Sequence, residues 1–415
     1  MRVLVFEQWL GGHYFNYLEL LVPRLAELAD EVIVAMTRAA IDSERFKTQL
    51  GAVAALPRVR FEASVPRADP ALPWRERMQL LLNLKAAVAE ARPDYLLVPS
   101  ADAQTLAMGA FGHVGISILP RELPSEATFH NGYGPAIRNR KQAVKELIYR
   151  AGYSGCTWSH LNFVNFLYFE HAARERRSWI DRARLVADPV PRAPRLDRVA
   201  ARRLLGIPEQ GRYLGLLGGL DQRKALPELL AAFRAAALGA QDRLLLGGRL
   251  DDGFRRLIDS DYQDLVRSDR LVLIDRFLTD DELLQGFGAL DLVCATYRDF
   301  PGLASLMLKG LAAGRPVLAQ NFGWSEALIN RFAIGHTVDI YQIQEFAKTL
   351  RTALEVSGDY VETEAVRRLL SFHEPANFTA TMSEHLRCLT GKAATHEIKT
   401  WDWVLEGRGN CPAPA

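Results

Sequence analysis

A short segment in the second half of the chain combines glycine, positive charge and a helix start in the order that binds anions. An apolar run, residues 213–217, leads into Gly218 and Gly219, then Arg223 and Lys224, then an amphipathic helical pattern. Glycine lets the backbone turn tightly and approach a ligand, and a helix N-terminus offers free N–H groups with positive dipole character. Together with the ammonium of Lys224, the glycine turn and the helix N-terminus favour the binding of a diphosphate. The alternative is an ordinary strand-to-helix turn with solvated basic residues.

Length and composition define the kind of protein that positions this segment. A chain of 415 residues exceeds what one hydrophobic core usually organises, so two domains are expected. The net charge of +2 sets no strong field, which argues against nucleic acid as a partner. The four cysteines form no CxxC pair, and MRVLVFE enters a strand without the pattern of a signal peptide. We therefore expect a protein of the reducing cytoplasm.

Short apolar runs alternate with longer helical patterns in both halves, which is typical of parallel sheets covered by helices on both faces. The predicted strands cover residues 3–6, 31–35, 95–98, 115–119, 157–163, 213–217, 243–246, 271–274, 292–295, 316–319 and 336–338. The predicted helices include residues 14–28, 78–91, 226–237, 280–286, 303–313 and 342–354. Because the pattern occurs twice, we predict an α/β fold of two doubly wound, Rossmann-like domains that face each other across a ligand-binding cleft.

Three prolines and flanking charges interrupt both periodicities in DPVPRAPRLD, residues 188–197. Such a composition is typical of a linker between domains. We therefore predict an N-terminal domain over residues 1–187 and a C-terminal domain over residues 198–375.

The second half resembles the glycosyltransferases of the GT-B fold, and specifically their retaining family 4. The resemblance runs through LLGIPEQGRYLGLLGGLDQRKALPELLAAF, LVLIDRFLTDDELLQGFGALDLVCATY and GLASLMLKGLAAGRPVLAQNFGWSEALI. It implies transfer of a sugar from a nucleotide-diphosphate donor, bound by the C-terminal domain, to an acceptor held mainly by the N-terminal domain, without a cofactor. It also implies that residues 376–415 return to the N-terminal domain, with a crossing helix over 376–389 and a tail in which Trp401 and Trp403 pack on that domain.

The same resemblance assigns the donor pocket. Lys224 holds the donor diphosphate, with Gly218, Gly219 and Arg223 beside it, and Ala225 stands where the family usually has glycine. The remaining implied donor contacts are Arg276 and Phe277 at the nucleotide base, Gly302, Leu303 and Ser305 at a helix start that faces the diphosphate, and Glu326 beside the donor sugar.

The main departure from the family concerns two glutamates that normally contact the donor sugar and the ribose. Pro301 and Lys309 occupy those positions. A cation with no acceptor cannot bind ribose as a carboxylate does, so Asp299 is the candidate for a replacement carboxylate with a catalytic role, and Lys309 for a phosphate ligand. Either the enzyme is divergent and active, or the chain is a catalytically degenerate binding or scaffold protein. A nonhydrolysing nucleotide-sugar epimerase is a further alternative, disfavoured by the transferase-like motifs.

Polar residues of the N-terminal half follow predicted strands and are candidates for the acceptor site. Gly11 and Gly12 form a loop expected to approach the donor phosphate, and His13 either donates to a phosphate or an acceptor oxygen or lies in a capping region. After the strand at 95–98 come Ser100, Asp102 and Gln104, which are expected to line the acceptor pocket. Asp102 has the alternative role of capping the following helix.

His130, in ATFHNGYG, is the candidate for a histidine that the family places close to the reacting sugar. If residues 115–119 form the fifth strand, Pro120 takes the usual position and His130 falls in a later loop. The alternative for His130 is an exposed turn histidine without a catalytic role.

Cations are expected to stabilise the departing diphosphate, because negative charge develops there during transfer. Lys224, with Arg223 and Lys309, serves this purpose without a metal ion. Asp259 and Asp261 have the spacing of a metal-binding pair, but they lie within the region that matches the metal-independent family. The basic segments 138–150 and 174–184 suit either peripheral contact with an anionic membrane, at its inner face, or solvated helix faces.

Overall fold

The computed structural model describes residues 1–9, 14–66, 73–191 and 196–407. The chain divides into two compact units: Met1–Pro189 with Pro375–Thr400, and Val190–Glu374 with the segment from Trp401 onward. In the described residues each unit contains one parallel sheet with flanking helices, of seven strands in the first unit and six in the second. The prediction of an α/β fold with two doubly wound domains is confirmed.

The strands of the first unit are β1 (Arg2–Phe6), β2 (Glu31–Thr37), β3 (Val59–Val65), β4 (Tyr95–Val98), β5 (Ser125–Phe129), β6 (His160–Phe163) and β7 (Ala183–Leu185). Those of the second unit are β8 (Tyr213–Leu217), β9 (Arg243–Gly247), β10 (Leu271–Ile274), β11 (Leu292–Ala295), β12 (Val317–Gln320) and β13 (Gly335–Val338).

The helices up to the second sheet are α1 (Tyr14–Leu28), α2 (Arg38–Ile41), α3 (Gly51–Ala54), α4 (Pro73–Ala91), α5 (Asp102–Gly112), α6 (Arg140–Gly155), α7 (Phe166–Arg174) and α8 (Arg198–Leu204). The later helices are α9 (Leu226–Ala235), α10 (Asp252–Asp261), α11 (Gln263–Arg267), α12 (Asp280–Ala289), α13 (Ser305–Ala312), α14 (Gly323–Phe332), α15 (Ile343–Glu355), α16 (Glu364–Phe372), α17 (Pro375–Thr390) and α18 (Trp401–Glu406).

In the first unit the strand order is β3-β2-β1-β4-β5-β6-β7, so the chain reverses direction across the sheet between β1 and β4. Val3 pairs with Val32 on one side and with Tyr95 on the other. Ligands of open α/β sheets bind at such a reversal, beyond the carboxyl ends of the strands. The segments after β1 and β4 therefore form the candidate site of this unit.

The second unit repeats this arrangement with the order β10-β9-β8-β11-β12-β13 and a reversal between β8 and β11. All five residues of β8 are buried, and Leu292 of β11 pairs with Leu214 of β8. The glycine turn after β8 and the loop after β11 consequently lie side by side at one edge of the sheet.

Two predictions about the first unit's strands are wrong. The apolar run at residues 115–119 is not a strand but a surface loop that follows α5, and the fifth strand is β5, at Ser125–Phe129. The strand β3 went unpredicted, since its pattern VRFEASV is only half buried at one edge of the sheet. His130 therefore follows the fifth strand directly rather than lying in a later loop.

The last described segments divide between the two units. The ring of Phe378 in α17 packs 4.8 Å from Tyr17 of α1, in the first unit. Trp401 lies instead on the second unit, with its ring 5.5 Å from that of Phe372. The guanidinium of Arg368 in that unit covers the ring of Trp403. The expected packing of both tryptophans on the N-terminal domain is thus corrected.

Among the described residues, none of the helices combines the length and the apolar character that crossing a bilayer requires.

Candidate active site

The side chain of Lys224 lies inside the second unit, at the carboxyl end of β8. Its Nζ donates a hydrogen bond to the carbonyl of Leu217, the last residue of the strand, at 3.3 Å. The same atom lies 4.8 Å from the ring centre of Tyr297. The residue is only 6% exposed. An ammonium with one carbonyl and one aromatic face keeps donor capacity for a ligand.

The pKa of Lys224 is lowered to about 7, chiefly by burial and to a smaller extent by the neighbouring charges of Arg223 and Lys309, against the opposing effect of Asp221. Three basic side chains are therefore close to one another with a single nearby carboxylate. The repulsion among them falls when an anion binds, so the arrangement favours a ligand with several negative charges.

Two helices begin beside Lys224 without a capping side chain. Ala225 precedes α9 and Ala304 precedes α13, and alanine has no acceptor for the first N–H groups of a helix. Both helices follow neighbouring strands, β8 and β11, and the backbone N–H of Arg298 donates to the carbonyl of Arg223 at 2.8 Å. Helix N-termini with free N–H groups are anion sites when a ligand is present.

Ala225 adopts the left-handed conformation, with φ of 37° and ψ of 38°. This explains why the resembled family has glycine there, because a Cβ in this region costs roughly 1–2 kcal/mol. We expect Ala225→Gly to raise the free energy of unfolding by about 1 kcal/mol, since relief of strain outweighs the added entropy of the unfolded chain. Chemical denaturation would measure this change. Ala240→Gly, outside the regular elements, is the control, and an equal effect of both substitutions would contradict the explanation.

The loop before α13 carries the residues that depart from the family. The carbonyl of Pro301 accepts the backbone N–H of Trp324 at 3.1 Å, and a Cβ on Gly323 would approach Pro301 to 2.6 Å. Asp299 is exposed, has a positive φ of 48° and accepts a long hydrogen bond, 3.4 Å, from the hydroxyl of Tyr341. Pro301 is thus fixed by close packing, while Asp299 keeps an accessible carboxylate.

The other predicted donor residues lie along the same edge of the sheet, with different degrees of engagement. Arg276, just after β10, makes a two-pronged ion pair with Glu282, whereas the adjacent Phe277 is 69% exposed. Gly302 is buried, Leu303 is half-buried and Ser305 is the first residue of α13. Glu326 lies in the first turn of α14.

Arg223 is less available than predicted. Its guanidinium binds Asp221, two residues earlier, at 2.6 Å. The two charges come together because the residues lie within a single turn. The carboxylate of Asp221 therefore compensates part of the positive potential that Arg223 contributes. Asp259 and Asp261, which have the spacing of a metal-binding pair, lie in the exposed last turn of α10.

A cavity of about 230 Å³ lies at the reversal point of the first unit's sheet. Its lining combines aromatic rings with charged and polar groups: Trp9, Tyr14, Glu76, Arg77, Ser100, Asp102, Ala103, Leu106, His130, Asn131 and Tyr149. Aromatic faces next to hydrogen-bonding groups are characteristic of pockets that bind polar organic ligands. Ser100, Asp102 and His130, which the sequence singled out, therefore meet in one place.

Asp102 holds His130 in position. Its carboxylate accepts the backbone N–H groups of His130 and Asn131, both at 3.1 Å, and lies 3.6 Å from Nδ1 of the His130 ring. The turn that follows is fixed rather than flexible, because Glu146 accepts the backbone N–H groups of Tyr133 and Gly134. His130 is thus a part-buried cavity residue and not an exposed turn histidine.

Gln104 differs from its prediction. It is fully buried and donates to the side-chain oxygen of Gln8 at 2.7 Å, so it supports the floor after β1 and does not line the cavity. Its place within α5 turns it toward β1. Gly11, Gly12 and His13 lie outside the described residues.

Some residues that line the cavity or support its lining escaped sequence reasoning. Glu7, directly after β1, is buried, and that burial raises its pKa to about 8 although the backbone N–H groups of Trp9 and Gln8 oppose the shift. Its place at the end of the central strand was a usable signal. The sequence contains no comparable signal for Tyr149 and Arg77, because they lie on the faces of long helices whose packing partners are remote in sequence.

Comparisons with known proteins bear on the fold. No protein-family model matches the sequence, and no curated protein matches it significantly. Solved structures match nearly the whole chain at low identity. HepE of Anabaena, in complex with UDP and glucose, superposes with a TM-score of 0.62 at 14% identity, covering 94% of this chain and 100% of its own. The fold is that of the GT-B glycosyltransferases.

Two further GT-B structures have similar scores. A glycosyltransferase from Rickettsia africae has a TM-score of 0.64 at 13% identity, with 94% of this chain and 99% of that chain covered. WaaG, a glycosyltransferase involved in lipopolysaccharide biosynthesis, has a TM-score of 0.60 at 13% identity, with 94% and 100% covered. At these identities the comparison establishes the shared fold and leaves the chemistry to the residues themselves.

Proposed function

We propose that this protein is a glycosyltransferase that moves a sugar from a nucleotide-diphosphate donor to an acceptor. The observation that carries the proposal is the buried amine of Lys224 at the end of β8, beside two uncapped helix starts. Solved structures of HepE, which has the same fold, hold UDP and UDP-glucose. Both facts support a nucleotide diphosphate as the anion.

In the proposed reaction the charge on the leaving diphosphate is stabilised by the chain's own groups. Binding of the diphosphate raises the pKa of Lys224, so its amine is charged when the sugar departs. Lys309 and the N–H groups at the start of α13 add to the same electrostatic effect. We infer a metal-independent transfer with retention, the outcome implied by the resemblance to family 4.

We infer that the acceptor occupies the cavity of the first unit, where His130 and Asp102 meet Trp9. Its volume of about 230 Å³ suits the reacting end of a larger molecule, either a glycan, a lipid or a small compound. We also infer that transfer takes place in the cytoplasm, where the buried free thiols of Cys156 and Cys294 stay reduced.

The second candidate function is a degenerate GT-B protein that binds a nucleotide sugar without transferring it. The observation in its favour is the close packing of Pro301, which places no carboxylate where the resembled family has one. Under this alternative Asp299 is a turn residue, since aspartate tolerates a positive φ.

The deciding experiment measures binding and turnover separately. Calorimetry with UDP, GDP and ADP tests the site, and incubation of the matching nucleotide sugars with acceptor extracts tests release of the nucleotide diphosphate. Turnover that depends on acceptor supports the transferase. Binding without turnover supports the degenerate protein, interconversion of the donor sugar supports an epimerase, and failure to bind any of the nucleotides contradicts all three.

Lys309→Glu tests whether Lys309 is a phosphate ligand. If Lys309 contacts phosphate, charge reversal weakens nucleotide diphosphate binding at least 10-fold, the equivalent of about 1.4 kcal/mol. If Lys309 instead marks a lost ribose contact, the glutamate strengthens binding. Lys348→Glu, at an exposed position of α15 in the same unit, is the matched control.

A further inference from the structure

The outer face of α6 carries exposed apolar side chains in a helical stripe. Val144, Leu147 and Ile148 are 58%, 63% and 44% exposed. Their spacing of three and four residues places them on one side of the helix. Single exposed apolar residues are common, but a row of three on one helix face marks an interaction surface.

Positive charges flank this stripe. Arg140, Lys141, Lys145 and Arg150 are exposed, and none has an ion-pair partner among the described residues. The acidic residue of α6, Glu146, turns inward, where it accepts backbone N–H groups and lies 3.6 Å from Arg177. The outer face of α6 therefore carries apolar side chains, and the charged side chains beside them are all positive.

The apolar surface continues beyond the end of α6. Nε2 of His113 lies 2.9 Å from the carbonyl of Ala151, so the loop after α5 runs beside the last turns of α6. In this loop Val114 and Ile116 are exposed. The apolar run that resembled a strand in the sequence thus forms part of an outward-facing surface.

The second basic segment, residues 174–184, does not present such a face. Arg177 pairs with Glu175 at 2.7 Å, and Arg184 pairs with the buried Glu126 at 3.0 Å. Arg182 donates to the carbonyl of Cys156 at 3.0 Å. These three guanidinium groups bind within the first unit and are therefore less available to a partner than the exposed basic side chains of α6.

We propose that the outer face of α6, with Val114 and Ile116, docks on a membrane surface that contains anionic lipids. A helix with an apolar stripe between basic residues lies in the bilayer interface, where the apolar side chains enter the headgroup boundary and the cations meet lipid phosphates. A second copy of the chain is a poor occupant, because it would bring two positive faces together.

Vesicle flotation tests the docking. The full-length protein is expected to float with vesicles of phosphatidylcholine and phosphatidylglycerol, to release at high salt, and to remain unbound with phosphatidylcholine alone. Lys141→Gln/Lys145→Gln should weaken the partition coefficient roughly 30-fold, the equivalent of about 1 kcal/mol for each charge near the surface. Arg256→Gln/Lys348→Gln, at exposed positions of the second unit, is the control.

A second pair of variants tests the apolar stripe. Leu147→Asp should abolish flotation, whereas Val361→Asp, at a residue 76% exposed in the second unit, should leave it unchanged. Equal flotation with both lipid compositions, or wild-type flotation of Leu147→Asp, overturns the proposal. A change of oligomeric state in Leu147→Asp, measured by analytical ultracentrifugation, overturns it in favour of a protein contact. Nucleotide affinity, measured in parallel, reports on the donor site independently.

Discussion

Lys224→Met is expected to abolish nucleotide diphosphate binding and at the same time to stabilise the folded protein. The amine that donates to Leu217 is buried, and its pKa is lowered to about 7, so holding it charged inside the fold is unfavourable. Methionine keeps the length and apolar contacts of the stem without the charge. We expect the free energy of unfolding at pH 7 to rise by about 2 kcal/mol. This is less than the full ionisation cost, which is roughly 1.4 kcal/mol for each unit by which the pKa is lowered.

The pH dependence has a definite sign. The pKa of Lys224 is near 7 in the folded protein and 10.5 in its ordinary state, so between these values the unfolded chain binds more protons. The stability contributed by this group therefore rises with pH from 7 to 10.5. Lys224→Met should lack that slope, while the exposed Lys348→Met should retain it.

Denaturation at several pH values, together with calorimetry with UDP, GDP and ADP, measures both consequences. A variant that lost nucleotide binding but was destabilised would identify Lys224 as a structural residue. A variant that kept wild-type affinity would contradict the assignment of the donor site. The combination of lost binding and gained stability is expected only of a charge that is kept buried for a ligand.

The sequence predicted best the elements that are buried on both faces. Strands β4, β8 and β11, whose residues are all buried, have the predicted bounds because parallel strands under two layers of helices are continuous apolar runs. The candidate donor site was predicted from them, since the glycines and Lys224 come directly after β8. Its local chemistry was less predictable, because the left-handed Ala225 and the pairing of Arg223 with Asp221 depend on turn geometry that the sequence leaves open.

The failures in the first unit arise from apolar residues outside the core and polar residues inside it. The run at 115–119 has the composition of a strand, yet Ile116 is exposed. β5, by contrast, reads SEATF and has the composition of a turn, although all five of its residues are buried. Composition alone cannot identify such a strand, because the side chains that compensate its buried charge come from β6, β7 and α17.

The charge inside β5 leads to the second large prediction. Glu126 is fully buried, and its carboxylate accepts from Asn162 of β6 at 3.1 Å and from Arg184 of β7 at 3.0 Å. The ring of His385 in α17 lies 3.5 Å from its other oxygen. Burial raises the pKa of Glu126, but the charge of Arg184 and the hydrogen bonds outweigh it, so the net shift is downward.

Glu126→Gln should lower the free energy of unfolding by about 3–5 kcal/mol, because it leaves the part-buried guanidinium of Arg184 without its counter-charge inside the fold. Chemical denaturation measures this loss, and the exposed Glu122→Gln, only four residues away, should change stability by less than about 0.5 kcal/mol. Equal effects of the two substitutions would show that the network around Glu126 contributes nothing to folding.

The same network predicts how the protein responds to acid. A carboxylate with a lowered pKa contributes stability above its ordinary value of 4.5, and this is lost as pH falls further. The pKa of His160 is lowered by burial and then by the adjacent His385, so the unfolded chain takes up a proton near pH 6.5 that the folded chain resists. Wild-type stability should therefore decline below pH 6.5 and more steeply below 4.5. In Glu126→Gln the second decline should be shallower, and an unchanged profile would assign the acid response to other groups.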